Sequence, residues 1–224
     1  MTRIPIAAAV LSCLAFTSAE AQPRSHPFVG VAAGIATLAA DARSEITPGG
    51  ADVSLYKPEN GPALNVLLGL HFHNYVTGQV NYVWNRNDVT LTSVRTTELG
   101  LSFYEVPRLS SQHAVVGDLL VYFRERRSTV RPYLSAGVGV VRLETRAGGE
   151  GHVSNVAQPP TSVRATRALL RVAVGIDVAL GGDWSVRYSF SESLSGNPIS
   201  ALLSPPGQRN LANFQNLFGV VRAF

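Results

Sequence analysis

Two groupings of residues in this sequence have the types and spacing that chemistry needs. The first is His152-Val153-Ser154-Asn155, in which a histidine and a serine stand two apart. An imidazole that takes the proton of a nearby hydroxyl creates an oxygen nucleophile for ester cleavage, provided an acid orients the imidazole. The second is the pair Asp177 and Arg187, on either side of Gly181-Gly182-Asp183. Folding the chain back symmetrically on that turn sets the two across from each other, and charges removed from water must pair. Arg171 and Asp118 are candidates to join them. The remaining histidines offer less. His71 and His73 are two apart, close enough to share a metal, but no third ligand accompanies them. His113 stands at a loop-to-strand junction without partners.

The element that must position the charged pair is a hairpin from Leu169 to Phe190. Counting by two gives an unbroken apolar row, Leu170, Val172, Val174, Ile176, Val178 and Leu180, opposite Arg171, Ala173, Gly175, Asp177 and Ala179. After the glycine turn the alternation restarts, with Trp184, Val186, Tyr188 and Phe190 against Ser185, Arg187, Ser189 and Ser191. Successive strand side chains point to opposite faces, so one face is apolar and the other is narrow and polar. A soluble sandwich buries its apolar face against apolar partners, whereas a membrane barrel turns it to lipid and keeps small and polar groups inside. The hairpin reads as part of an outer-membrane barrel, with Asp177 and Arg187 as a lumen ion pair.

The rest of the chain repeats this pattern. Period-two alternation predicts further strands over Pro27 to Thr37, Ala63 to Phe72, Val76 to Asn85, His113 to Phe123, Val130 to Leu143 and Leu211 to Phe224. Eight strands result, a number whose interior is only just wide enough for side chains to fill. Their connections alternate long and short, the long ones being Leu38 to Gly61, Arg86 to Gln112, which contains the β-prone VTLTSV as a candidate extension of strand, Glu144 to Val163 and Glu192 to Asn210. Outer-membrane barrels have short periplasmic turns and long extracellular loops, so both termini are expected in the periplasm. Aromatic girdles are expected at Phe72, Tyr75, Phe123, Trp184 and Phe224 on that side and at Trp84, Phe190 and Phe214 on the other.

Composition and the N-terminus agree with that address. Arg3, an apolar run from Ile4 to Phe16 and small residues at Ala19 and Ala21 predict a secretory signal peptide over residues 1–21, leaving 22–224 as one barrel domain. The single cysteine, Cys13, falls in the segment removed, so no disulfide is expected. The formal net charge of +4 is carried by scattered arginines. Nucleic acid as a partner asks for a concentrated basic stripe instead, and none is expected. No cofactor or metal is implied.

The ending NLFGVVRAF, with its terminal Phe224, resembles the closing strand of bacterial outer-membrane β-barrels. Together with RPYLSAGVGVV (Arg131 to Val141) and the 169–190 hairpin, it is similar to the small eight-stranded family typified by the transmembrane domain of outer membrane protein A. That resemblance implies outer-membrane lipid as a partner and recognition of Phe224 by the barrel assembly machinery. The tetrad at His152 looks like the His-x-Ser-Asn motif of outer-membrane lipid A deacylases, which implies His152 as base and Ser154 as nucleophile. That family carries its motif close to the last strands; here 70 residues follow Ser154.

The reading is an all-β, eight-stranded antiparallel transmembrane β-barrel in the outer membrane, with a structural or surface-interaction role and recognition by long extracellular loops whose ligand the sequence does not name. No catalytic residue is assigned in it. Asp177 and Arg187 either plug and rigidify the lumen or form a gate, and the narrow interior favours the plug. The alternatives are a deacylase-like esterase using His152 and Ser154, and a soluble periplasmic barrel that binds a small ligand.

Overall fold

The computed structural model describes residues 26–48, 50–97, 100–154, 160 and 162–224; the expected signal peptide, 1–21, lies outside them. Eleven strands occur among the described residues: β1 (His26–Leu38), β2 (Asp41–Thr47), β3 (Gly50–Pro58), β4 (Gly61–His71), β5 (Val76–Thr97), β6 (Gly100–Tyr122), β7 (Val130–Ala147), β8 (His152–Ser154), β9 (Ser162–Gly181), β10 (Trp184–Gly196) and β11 (Asn210–Ala223). All belong to one sheet and every pairing is antiparallel. Eight of them, β1, β4, β5, β6, β7, β9, β10 and β11, run round a ring. β1 and β11 close it, in register from Phe28 opposite Ala223 to Leu38 opposite Asn213.

The two rows of each strand dictate which way it faces. Val29, Val31 and Ile35 of β1, Leu68 of β4, Leu119 of β6, Val138 of β7 and Leu170 of β9 are exposed on the outside. Phe28, Ala32, Asn65, Asn81, Asp118, Arg171 and Arg187, from the alternate rows, are buried inside. This is the polarity of a sheet solvated by lipid and filled by polar groups. Glycine makes room where two inner side chains compete. A Cβ on Gly175 would collide with the Tyr133 ring, and one on Gly137 with Asp118 Oδ1. Phe72, Phe123, Trp184 and Phe224 ring the end with the short turns. Arg222, on the outer row of β11, lays its guanidinium 5.4 Å from the Trp184 ring and 5.2 Å from that of Phe224. Its charge thus snorkels at an aromatic border.

The half with the long connections is more ordered than its loop-like composition suggests. The expected connection 38–61 contains the β2–β3 hairpin, and the expected connection 86–112 is strand throughout its described part. β5 and β6 stay paired from Val76 opposite Val121 to Thr97 opposite Gly100. β3 pairs along the free edge of β5, and β8 along that of β6. The physical reason is edge satisfaction: a strand leaving a barrel carries unpaired backbone groups, and a neighbouring segment that can pair with them becomes strand despite its Pro and Asp content. Pro58 ends β3, and Pro107 supplies its carbonyl to the N–H of Gly148.

Candidate functional site

The lumen is built as stacked polar layers. Near the short-turn end, the tight turn at Gly181 and Gly182, both at positive φ, sets Arg187 of β10 opposite Asp177 of β9. Arg187 Nε donates to Asp177 Oδ1 at 2.6 Å and Nη2 to Oδ2 at 2.7 Å, a bidentate pair. β5 and β6 complete the layer. Gln79 Oε1 accepts from Arg187 Nη1 at 2.8 Å, while Tyr122 accepts from Nη2 at 2.9 Å and donates to Asp177 Oδ2 at 2.7 Å. Arg131 lies 3.8 Å above the Tyr122 ring and donates to the Asn74 carbonyl at 3.2 Å.

The next layer joins Arg171 to Asp118, with Nη1 to Oδ2 at 3.1 Å. Asn81 donates to the same carboxylate oxygen at 2.8 Å, and Arg171 Nη2 to Ser191 Oγ at 3.3 Å. Gln79 also donates to Asn81 Oδ1 at 3.2 Å and so connects the two layers. Above them Asn213 donates to Gln112 at 2.9 Å and to Asn85 at 3.2 Å, and Asn85 donates to Asn87 at 2.7 Å. Between the two charged layers lies a cavity of about 10 Å³, bordered by Gln79, Asp118, Arg171 and Arg187. That is room for one water molecule.

The opposite end, where the long connections lie, is stoppered by residues 197–209. Ile199 and Leu203, flanking a one-turn 3-10 helix (Ser200–Leu202), enter an apolar cluster with Leu38, Tyr56, Leu91 and Tyr104. Strand side chains then hold the segment by its backbone. Ser54 Oγ donates to the Pro205 carbonyl at 2.5 Å, Ser93 Oγ to that of Ser204 at 2.5 Å, and the Tyr104 hydroxyl to that of Leu202 at 2.7 Å. The Asp41 carboxylate accepts from the Gln208 N–H. Asn197 folds the segment on itself, its Oδ1 accepting from the N–H groups of Ile199 at 3.0 Å and Ser200 at 3.2 Å. Burial, reinforced by the nearby Asp41 charge and opposed by a hydrogen bond with Asn197, pushes the Tyr56 phenol up to about 12.

The tetrad that suggested ester cleavage lies elsewhere. His152 and Ser154 share one face of β8 and lie opposite Glu105 and Phe103 of β6. Among the described residues no hydrogen bond joins them and no carboxylate forms an ion pair with His152; Asn155 falls outside those residues. His71 is buried, its Nδ1 2.7 Å from Thr77 Oγ1 and its ring 4.7 Å from that of Phe28, whereas His73 is in the exposed turn beside Tyr75. His113 Nδ1 is 2.8 Å from the Tyr82 hydroxyl. No local motif singles out Gln79, Tyr122 or Asn81. Their signal was their place on the polar rows, but their partners come from strands far away in the chain.

A family profile described as the outer membrane protein beta-barrel domain matches residues 6–220. No curated protein sequence matches the chain. Among solved structures it is similar to the outer membrane protein OprG from Pseudomonas aeruginosa, with a TM-score of 0.55, 12% identity and coverage of 89% of this chain and 96% of that one. It is also similar to Neisserial surface protein A, with a TM-score of 0.51, 14% identity and coverage of 88% and 97% respectively.

Proposed function

The chain belongs to the outer membrane protein beta-barrel domain family, whose address is the outer membrane, and from that premise we propose that it is a surface-interaction protein. Recognition is carried by the sheet that β2, β3, β8 and the upper parts of β5 and β6 raise beyond the apolar belt. One observation supports this reading above the others: the sheet is backed by the apolar cluster around Tyr56 and Ile199, so the surface it presents is preorganised. A rigid surface loses less entropy on binding than a mobile loop. In this reading Asp177 and Arg187 are structural, tying β9 to β10 and filling the lumen. Residues 1–21 direct export, Phe224 is read by the barrel assembly machinery, and the surface ligand is extracellular. Its identity is to be found by screening.

The test replaces 41–58 with a four-residue turn in cells displaying the full protein and measures adhesion to immobilised matrix glycans and glycoproteins. Loss of adhesion, with the folded barrel still migrating faster than the boiled one on a gel, supports the reading. Adhesion equal to that of the unaltered protein, together with new sensitivity of the cells to detergent, replaces it with a purely structural role.

A further inference from the structure

The outer face of β5, β6, β7 and β9 carries a vertical sequence of chemistries. At mid-height Val80, Gly117, Val138 and Leu170 form one row across the four strands. Around that row and the next, including Leu119 and Ala136, lies an outward groove of about 1040 Å³. Gly117 is its floor, and barrel packing does not demand a glycine there: a Cβ would meet only the Val138 carbonyl oxygen, at 4.0 Å.

Two rows higher stand Trp84, His113, Arg142 and Thr166, then Arg86, Ser111, Glu144 and Arg164, then Asp88, Leu109, Arg146 and Ser162. Phe123, just past β6 at the short-turn border, is ten positions from His113. At about 3.3 Å per residue and a tilt of about 40°, that is about 25 Å, the height of an outer-membrane apolar band. The arginine rows therefore start where lipid head groups start.

Four guanidiniums share this patch with two carboxylates. Glu144 engages Arg142 at 2.7 Å and Arg164 at 3.8 Å, and Asp88 lies 3.8 Å from Arg86. Arg146 makes no ion pair among the described residues. The excess positive charge surrounds a cleft of about 330 Å³ bordered by Arg86, Ser111, Arg146, Ser162 and Arg164, with Glu144. The groove's upper row lies three rows, about 15 Å, below the cleft, with the Tyr82 and Trp84 rows between them, and its lining continues through Leu70, Phe72 and Gly78 toward the short-turn border. A cationic cleft rimmed with hydroxyls above an apolar surface of that height matches an amphiphile with an anionic head and acyl chains that reach down to Gly117.

We propose that this face holds a phosphorylated glycolipid of the outer leaflet, its acyl chains in the groove over Gly117 and a phosphate against Arg86, Arg146 and Arg164. The site rests on the membrane location alone and is independent of what the extracellular sheet recognises.

The experiment uses the full mature chain refolded in detergent, with Trp184→Phe leaving Trp84 as the reporter. Lipopolysaccharide is titrated while Trp84 fluorescence is followed, and the titration is repeated with enzymatically dephosphorylated lipopolysaccharide. Saturable binding of the phosphorylated form is expected. Dephosphorylation should weaken it about tenfold, as should the combined Arg86→Gln, Arg146→Gln and Arg164→Gln variant, the equivalent of about 1.4 kcal/mol. Gly117→Leu should weaken binding of both forms, and Arg124→Gln with Arg127→Gln, at the opposite end, should change nothing. Equal binding of the two lipopolysaccharide forms by the unaltered chain overturns the proposal whether or not the triple variant folds. So does an equal loss from the distant arginine pair, or undiminished binding by a triple variant that keeps its heat-dependent gel shift.

Discussion

Gly137 of β7 faces Asp118 of β6 so closely that a methyl group on the glycine would overlap the carboxylate oxygen Oδ1. The glycine is the space into which the charged layer fits. Gly137→Ala must push Asp118 away from Arg171 and Asn81, partly unpairing a buried charge, or else move the backbone. A loss of about 2–3 kcal/mol is expected. Urea unfolding in lipid vesicles measures it, with Gly117→Ala, which has open space, as the near-neutral control.

Arg187→Gln removes the bidentate cation and leaves Asp177 buried with the Tyr122 hydroxyl donating to it and Arg131 opposite it on β7. A cost of about 3 kcal/mol is expected, because the remaining cation makes no hydrogen bond to the carboxylate and compensates it only in part. Adding Asp177→Leu should recover most of it. The same unfolding assay on the single and double variants reads the difference.

The stopper carries an alkaline limit. The Tyr56 phenol is raised from 10.0 to about 12, so its neutral form stabilises the packed state below pH 10. That contribution is lost as pH rises from 10 through about 12. Trypsin cleavage after Arg209 should accelerate across this window in the unaltered protein, and less steeply in Tyr56→Phe.

Removing the stopper should not make a pore. Below it the polar layers leave a cavity of only about 10 Å³, so a chain with 198–208 deleted is expected to be silent in planar bilayers. Adding Arg171→Ser and Arg187→Ser to that deletion should produce conductance steps. Steps from the deletion alone would mean that the lumen layers move apart.

The membrane-spanning half was legible in the sequence because two rules act on it at once. Period two fixes the strands, and the small and charged rows at Gly175, Asp177 and Asp118 could only be internal. Residues 177 and 187 can be counted into opposition from the turn between them. No local rule brings Gln79 or Tyr122 to Arg187, which are 108 and 65 positions away. Their meeting depends on the registers of several ladders. The sheet beyond the apolar belt was legible only at VTLTSV of β5, whose β-branched residues suit a strand. Asp41, Pro58 and Pro107 carry the marks of loops, and the strands there exist because β5 and β6 offer edges that need partners.

The ladder between β1 and β11 also governs timing. Since the first and last strands of the ring are each other's neighbours, no closed form exists until β11 has been made. A chain interrupted before it could form every other pairing and still expose the edges of β1 and β10. Completion thereby has its own structural mark: in a truncated product the ring keeps two unpaired edges, and in a finished one the ring has none.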